Sequence, residues 1–357
     1  MRGNHSSACS SAAFRQGAVI LFLLLLVFAV GCASRSKVTQ NPAPPRPYMR
    51  VERAPDSTLS LQVAVREMKP PRKRWPVIHL VGVTHLGETN YYAALQERLD
   101  GCEVVLYEGI GDAPRHTSEL DRETGGSLLQ IRLARALGLV FQLEAIRYDR
   151  PHFKNSDLTY EQLERVLRGE ILPPPSAKWQ PAAPLFLTGA AGASTPQVGE
   201  QMEELMGIME GNSFMGVLAH TMIQFIAASP RLQATVKVVL IETMGAIEGD
   251  LADMPGLPEE WQDLVQFLIR ERNKIVLNDV RRLLDDKRPP SSVAIFYGAG
   301  HMHDLEQRLA GELGYRPVRE QWLTAFGINP RAAGVSELEL QWVRSLIQAQ
   351  MRPSKAP

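Results

Sequence analysis

Val77–His85, with the sequence VIHLVGVTH, is an apolar run that reaches Gly82 and carries a histidine three residues later. The same arrangement recurs far downstream in Val293–His301, VAIFYGAGH. Both runs are short and rich in β-branched and aromatic residues, which predicts buried strands. Ligands of α/β proteins bind beyond the carboxyl ends of the strands, so two such strands can deliver two imidazoles to one crevice. We expect Gly82 and Gly298 to let the backbone turn sharply there.

A helix and a further strand follow the first of these runs. Asn90–Leu99 has an apolar face and ends before Gly101, which is typical of a helix. Glu103–Tyr107 then reads as a strand, and the strand–helix–strand order predicts parallel pairing. Glu108 comes directly after it. Because parallel strands align their carboxyl ends, Glu108 should lie at the same end of the sheet as His85.

Two histidines and a glutamate at strand ends are a common metal shell. Imidazole and carboxylate ligands suit Zn, Mn, Fe or Co better than Ca or Cu(I). Donor atoms of His85, His301 and Glu108 that share one ion should lie roughly 3 to 4 Å apart. The alternative is that each histidine is structural and bonds to loop backbone. The repeated Gly-x-x-His pattern favours function.

Arg272 lies in the middle of the apolar arc of the longest predicted helix, Pro258–Asp285. A charge in that position has to be paired or to bind something. Three roles stay open: a clamp on a substrate carboxylate or phosphate, a partner that holds Glu108, or an internal ion pair with Asp279.

Three further residues have weaker signals. Asp149, at a proline-marked boundary, is a further ligand or a turn residue. His303 follows His301 in a helix start, which favours a position at the rim of the site or behind its ligands. Cys102 is predicted to be a small buried apolar residue rather than a nucleophile.

The remaining pattern is largely helical. Helices are predicted at Leu128–Leu137, Gly199–Met209, Phe214–Ala228, Pro230–Met244 and Met302–Gly311, with a strand at Tyr315–Thr324. We expect the apolar helix Phe214–Ala228 to be buried all round. Thr159 with Gln162, and Ser336 with Glu339, form possible capping boxes. Residues 171–198, rich in proline and glycine, indicate a loop insertion.

The amino terminus indicates export. Arg2 and Arg15 precede an apolar run that is short for a membrane span and typical of a signal peptide. It ends in Ala29-Val30-Gly31-Cys32, which resembles a bacterial lipoprotein signal and implies cleavage before Cys32 and a lipid on its thiol. The alternative is an uncleaved signal anchor. Ala33 after the cysteine favours the outer membrane.

These observations predict four parts. Residues 1–31 are a signal peptide and 32–71 a proline-rich tether, in which Leu59–Val65 can form an edge strand. Residues 72–328 form one α/β domain with a mostly parallel central sheet flanked by helices, and 329–357 form a carboxyl-terminal helix and tail. Thirty-nine basic residues balance 39 acidic ones, so nothing suggests a nucleic-acid partner.

The motifs GVTH and YEG, ERN in the long helix, then GAGH and GYRP occur in an order that resembles the TraB/PrgY/GumN family, which includes the TIKI proteins. The resemblance covers about Val77–Phe326. It implies a fold related to the ChaN and erythromycin-esterase-like proteins and a metal-dependent peptidase site. By this resemblance His85, Glu108 and His301 are the site residues, with Arg272 and Asn273 from the ERN motif.

The sequence therefore favours a lipid-anchored, cell-envelope hydrolase that uses a divalent transition metal and acts on peptide bonds. His85 and His301 are expected to be ligands, and Glu108 a ligand or the base that activates water. Arg272 is expected to stabilise an oxyanion or to orient Glu108. The alternative is a non-catalytic envelope protein that captures a peptide, a haem or another small ligand in the same crevice.

Overall fold

The computed structural model describes residues 45–110, 128–159, 161–163, 214–249, 265 and 267–350. Its strands are β1 (Met49–Arg53), β2 (Leu59–Lys69), β3 (Val77–Val83), β4 (Leu86–Gly87), β5 (Val104–Tyr107), β6 (Val140–Phe141), β7 (Phe153–Asn155), β8 (Ser292–Gly298) and β9 (Arg316–Ile328). Its helices are α1 (Thr89–Asp100), α2 (Leu128–Ala136), α3 (Gln142–Ala145), α4 (Phe214–Ala227), α5 (Pro230–Gly245), α6 (Arg272–Asp285), α7 (Met302–Leu313) and α8 (Glu337–Gln350). A π-helical turn, Phe267–Glu271, leads into α6, and a 3-10 turn, Ala299–His301, leads into α7. None of these helices is long and apolar enough to cross a membrane.

The two Gly-x-x-His strands lie side by side in one mixed sheet. β3 and β8 pair in parallel, with Val77 opposite Ser292 and Val83 opposite Gly298. β5 pairs in parallel with the other side of β8, and β7 extends the parallel part beyond β5. β2 joins the far side of β3 and is antiparallel to β1, β3 and β9. The predicted α/β class with helix-flanked parallel strands is confirmed at this level.

Helices cover both faces of the parallel strands. In β3, Val81 and Val83 point into a core formed with α1, α2 and α5, whereas Ile78 and Leu80 point into a second core formed with α6 and α7. Strands covered on both faces have nearly continuous apolar sequences, which is why β3 and β8 are recognisable. Full burial of each such side chain contributes about 1.5–3 kcal/mol, so this part of the sheet is a firm platform.

β2 corrects the prediction for the amino-terminal segment. Leu59–Lys69 is a central strand rather than an edge strand in a tether: β1 and β3 share one side of it and β9 covers the other. The sequence does not indicate this, because an arginine is ordinarily expected to face solvent, whereas Arg66 is fully buried. Its guanidinium donates to Glu306 and Glu320 and to the carbonyl oxygens of two residues that precede β1. The folded domain therefore begins well before the predicted boundary at residue 72.

Most predicted helices are confirmed, including Pro230–Met244, which forms α5. Both capping boxes form: Gln162 N–H donates to Thr159 Oγ1 at 3.1 Å, and Glu339 N–H donates to Ser336 Oγ at 3.3 Å. The expectation that Phe214–Ala228 is buried all round is wrong. Ala219 and Ile223 on one face of α4 are buried, whereas Phe225 on another face is 63% exposed.

Several predictions fall outside the described residues. They are the signal peptide with Cys32, the insertion at 171–198, the helix at Gly199–Met209 and the start of the long helix at Pro258.

Candidate active site

Three adjacent parallel strands carry the predicted site residues at one edge of the sheet. β3 leads to His85, β8 leads to His301 and β5 leads to Glu108. Their register is level at that edge, because Val83 lies opposite Gly298 and Tyr107 lies opposite Phe296. The structure thus places all three beyond the carboxyl ends of neighbouring strands.

Glu108 lies at the centre of the site. Its Oε1 is 3.5 Å from His301 Nε2, and its Oε2 accepts a hydrogen bond from Gly298 N–H at 2.7 Å. Burial raises the pKa of this carboxyl, but the positive charge of Arg272 and the interaction with His301 outweigh it. The pKa of Glu108 therefore lies well below its ordinary value, and the side chain is a carboxylate at neutral pH.

The two glycines of the Gly-x-x-His motifs have a different role from the one predicted. Neither belongs to the glycines with positive φ, so a sharp turn does not require them. A Cβ on Gly82 would lie 3.2 Å from Val63 Cγ1, and a Cβ on Gly298 would lie 3.3 Å from Glu108 Oε2. At both positions an added Cβ would require a neighbouring atom to shift by a few tenths of an ångström, and at Gly298 that neighbour is the central carboxylate.

His301 is buried and is held from behind by α6. Its Nδ1 lies 2.8 Å from Asn273 Oδ1. Asn273 Nδ2 donates to Asp304 Oδ2 at 2.8 Å, which fixes the amide with its oxygen toward the ring. In that arrangement Nδ1 of His301 carries the proton and donates. Nε2 faces Glu108.

His85 has a matching support from a different element. Its Nδ1 lies 3.1 Å from Gln142 Oε1, at the start of α3. Burial lowers the pKa of His85, the charge of Glu108 raises it, and Arg272 and His301 lower it again, so that it lies below its ordinary value. His85 is therefore neutral at pH 7, and Glu108, Arg272 and His301 are near enough to influence its pKa.

Arg272 is the buried cation of the site. Nε donates to Asp157 Oδ1 at 2.9 Å, and Nη2 donates to Asp157 Oδ2 at 2.5 Å and to Glu108 Oε1 at 2.8 Å. Burial lowers the pKa of this guanidinium, and the charges of Asp157 and Glu108 raise it above its ordinary value. Of the three roles left open, the structure supports the one in which Arg272 holds Glu108. Its predicted ion pair with Asp279 is not formed: Asp279 pairs with Arg282 and accepts from Ser156 Oγ.

Arg272 and Asn273 are adjacent in sequence but serve different partners. The π-helical turn Phe267–Glu271 ends immediately before them, and Arg272 Nη1 donates to the carbonyl oxygen of Leu268 at 3.3 Å. Such turns break the regular helical hydrogen-bond pattern and often occur at functional sites. Here the turn starts α6 at the point where one residue reaches Glu108 and the next reaches His301.

The other predicted residues are less closely connected with the site. His303 is half-buried on the first turn of α7, two residues beyond His301. Asp149 is exposed in the segment that leads into β7, whereas the site lies beyond the opposite end of that strand. Cys102 is buried, and burial raises its pKa to about 11, as expected for an unreactive thiol.

Sequence reasoning missed Asp157, Gln142 and Asp304. Asp157 follows β7, the fourth parallel strand, so it reaches the site edge by the same rule as Glu108. That strand has three residues, too few for a detectable period. Gln142 follows a two-residue strand, and polar residues in such short elements give no signal that separates them from loops.

The donor set fits a divalent transition metal in its chemistry. Neutral imidazole nitrogens with protonated, hydrogen-bonded Nδ1 atoms are the usual form of histidine ligands. His301 Nε2 and Glu108 Oε1, 3.5 Å apart, have the spacing of two donors on one ion. Among the described residues, no group of three or more His, Cys, Asp or Glu side chains is assembled as a complete metal shell. His85 would be the third donor.

Comparison of the chain with protein-family models, with curated proteins and with solved structures finds no match.

Proposed function

We propose that this protein is a metal-dependent hydrolase of the bacterial cell envelope, with peptide bonds as its substrate. His85, His301 and Glu108 would hold a Zn, Mn, Co or Fe ion. The observation that carries the proposal is the state of the two imidazoles. Each has its Nδ1 on a side-chain amide oxygen, which keeps Nε2 for another partner, and the ionised Glu108 lies 3.5 Å from His301 Nε2. The sequence motifs agree with membership of the TraB/PrgY/GumN family and with a TIKI-like arrangement of the fold.

A bound ion of this class polarises a carbonyl oxygen and makes water more acidic, which is the chemistry that amide hydrolysis needs. The protein's own groups support this in distinct ways. Because the pKa of Glu108 is well below its ordinary value, it is a weak base, and this favours a ligand role over general-base catalysis. The guanidinium of Arg272 is bonded to Asp157 and Glu108, which favours orientation of Glu108 over direct contact with an oxyanion.

Metal content of the purified full-length protein tests the proposal. Wild type should carry or take up an ion, and alanine at His85, Glu108 or His301 should lose most of it while the fold is kept. The matched control is His79→Ala, because His79 lies on β3 but within the strand. Added metal should raise the Tm of wild type and of the control alone, since only a formed site gains from binding.

Turnover of a peptide mixture, followed by mass spectrometry, separates the two classes of function. A hydrolase should cleave with metal and stop with a chelator. Metal uptake or ligand capture without cleavage would instead indicate a non-catalytic envelope protein that binds its ligand in the same crevice. If neither metal content nor Tm differs between wild type and the three variants, the proposed site is wrong.

The cell-envelope assignment is a separate part of the proposal and rests on the amino-terminal sequence. Arg2 and Arg15, the apolar run and the small residues before Cys32 have the order of a lipoprotein signal. Lipid on Cys32 would anchor the chain to the membrane, with the outer membrane favoured by Ala33. Residues between Cys32 and the first described residue, at position 45, would then be the tether.

A further inference from the structure

A small two-stranded ladder brings Gln142 to His85. β4 and β6 pair antiparallel, with Leu86 opposite Phe141 and Gly87 opposite Val140. The next pair in this register is His85 with Gln142, and Gln142 N–H donates to the His85 carbonyl oxygen at 2.8 Å. This backbone hydrogen bond holds His85 and Gln142 next to each other independently of their side chains.

The side chain of Gln142 adds a second, independent link. It is 5% exposed, and its Oε1 lies 3.1 Å from His85 Nδ1. Its Nε2 donates to the Tyr148 hydroxyl at 2.8 Å. The structure thus has the acceptor end of the amide on the imidazole and its donor end on the Tyr148 hydroxyl, and the second bond holds the side chain in this position.

Tyr148 is itself held in place by aromatic packing. Its ring centroid lies 5.0 Å from that of Tyr107, and 6.2 Å from those of Phe153 and Phe296. These neighbours belong to β5, β7 and β8, the strands that form the site edge. The hydroxyl of Tyr148 is thus set by the same platform that carries Glu108 and His301.

We infer that Gln142 is a positioning residue for His85, and that Tyr148 holds Gln142 so that His85 is kept as the Nδ1–H tautomer with its Nε2 free. His301 is also supported in two steps, since Asn273 binds its Nδ1 and Asp304 orients Asn273. The two supports end differently. The support of His301 ends on the Asp304 carboxylate, whereas the support of His85 ends on the Tyr148 hydroxyl.

The tautomer is a property of the metal-free protein, and only its consequence for metal binding rests on the proposed function. Loss of such a support around a ligand histidine typically lowers metal affinity by about 10- to 100-fold. We expect that range for Gln142→Leu. Gln142→Glu, which keeps an acceptor oxygen next to Nδ1, should retain more of the affinity.

Nitrogen-15 NMR of the imidazoles in the metal-free, full-length protein tests the inference at pH 8, where a histidine ring is ordinarily neutral. The His85 signals are assigned by their absence in His85→Ala. Wild type should show a protonated Nδ1 and an unprotonated Nε2. Gln142→Leu and Tyr148→Phe should admit the Nε2–H form, and Gln142→Glu should restore the wild-type pattern.

The chain offers matched controls. Tyr315→Phe also removes a buried hydroxyl, which donates to the Pro76 carbonyl oxygen at 3.0 Å, and it should leave the His85 signals unchanged. The Gln142 variants retain the backbone bond to His85, and Tyr148→Phe retains the ring.

An Nε2–H tautomer in wild type, or the same Nδ1–H tautomer in wild type, Gln142→Leu and Tyr148→Phe, would overturn the inference. If Gln142→Leu does not fold, Tyr148→Phe against Tyr315→Phe decides the matter. Wild type that shows the expected tautomer but binds no metal would refute the proposed function and leave this inference standing.

Discussion

Arg272 grips Asp157 through two parallel hydrogen bonds, from Nε to Oδ1 at 2.9 Å and from Nη2 to Oδ2 at 2.5 Å. Asp157 is fully buried and Arg272 is 6% exposed. Because Nη2 also reaches Glu108, one guanidinium binds two carboxylates. The site is thus held together by a buried cation that comes from a helix, while its acidic partners come from two different strands.

We expect Arg272→Leu to destabilise the protein by about 3–5 kcal/mol, since it leaves Asp157 buried without its cation. Unfolding in urea measures the change. Arg281→Leu is the control, because Arg281 pairs with Glu312 at the surface, where an ion pair contributes only about 0–1 kcal/mol. Equal stability of Arg272→Leu and wild type would contradict the role assigned to this pair. The double variant Arg272→Leu with Asp157→Leu should recover part of the loss.

Glu108 should make stability depend on acid pH. Its pKa in the folded state is well below the value of about 4.3 that it has in the unfolded chain. Its contribution is therefore complete above about pH 4.3 and is lost as pH falls toward the folded-state pKa. Glu108→Gln should reduce the pH dependence of the urea unfolding midpoint between about pH 5 and pH 2. Glu337→Gln, which removes an exposed carboxylate, should keep the wild-type slope.

Gly298→Ala tests whether the glycine makes room for Glu108. The new Cβ would lie 3.3 Å from Glu108 Oε2, which accepts from the Gly298 N–H, while Arg272 holds the other oxygen, Oε1. We expect weaker metal uptake and a lower Tm. The matched control is Gly311→Ala within α7, where the added Cβ meets no atom within 4 Å. That change should stabilise by about 0.5–1 kcal/mol, so a similar gain for Gly298→Ala would exclude the packing argument.

Cys32→Ser tests the anchor. It should abolish labelling by a fatty-acid analogue and block normal processing of the precursor. Cys9→Ser is the control, because Cys9 precedes the apolar run and would leave with the signal peptide. Labelling that persists in Cys32→Ser would refute the lipoprotein assignment.

The strands that carry the histidines were predictable because burial on both faces makes their sequences almost wholly apolar. Glu108 was predictable because it follows such a strand directly. Arg272 was recognisable from its place among apolar neighbours, but its partner was not. Asp157 is far from it in sequence and follows a three-residue strand, and Asp279, on the same helix, was the nearer candidate.

β2 was misread for a related reason. Its buried Arg66 and Gln62 are compensated by partners in distant elements, among them Glu306 in α7 and Thr324 in β9. Such compensation is invisible in a local window, where serine, glutamine and arginine count as solvent-facing. Hydrogen-bond supports such as Gln142 behind His85 are missed for the same reason, because only the fold brings them together.

The central position of β2 also determines when its sheet can be completed. Leu59 lies opposite Ile328 and Lys69 lies opposite Arg316, so the first long strand is completed by the last. Pairings between such distant segments form slowly. Until β9 has left the ribosome, β2 lacks the partner that covers one whole side. The sheet is therefore completed only after almost all of the described chain has been synthesised.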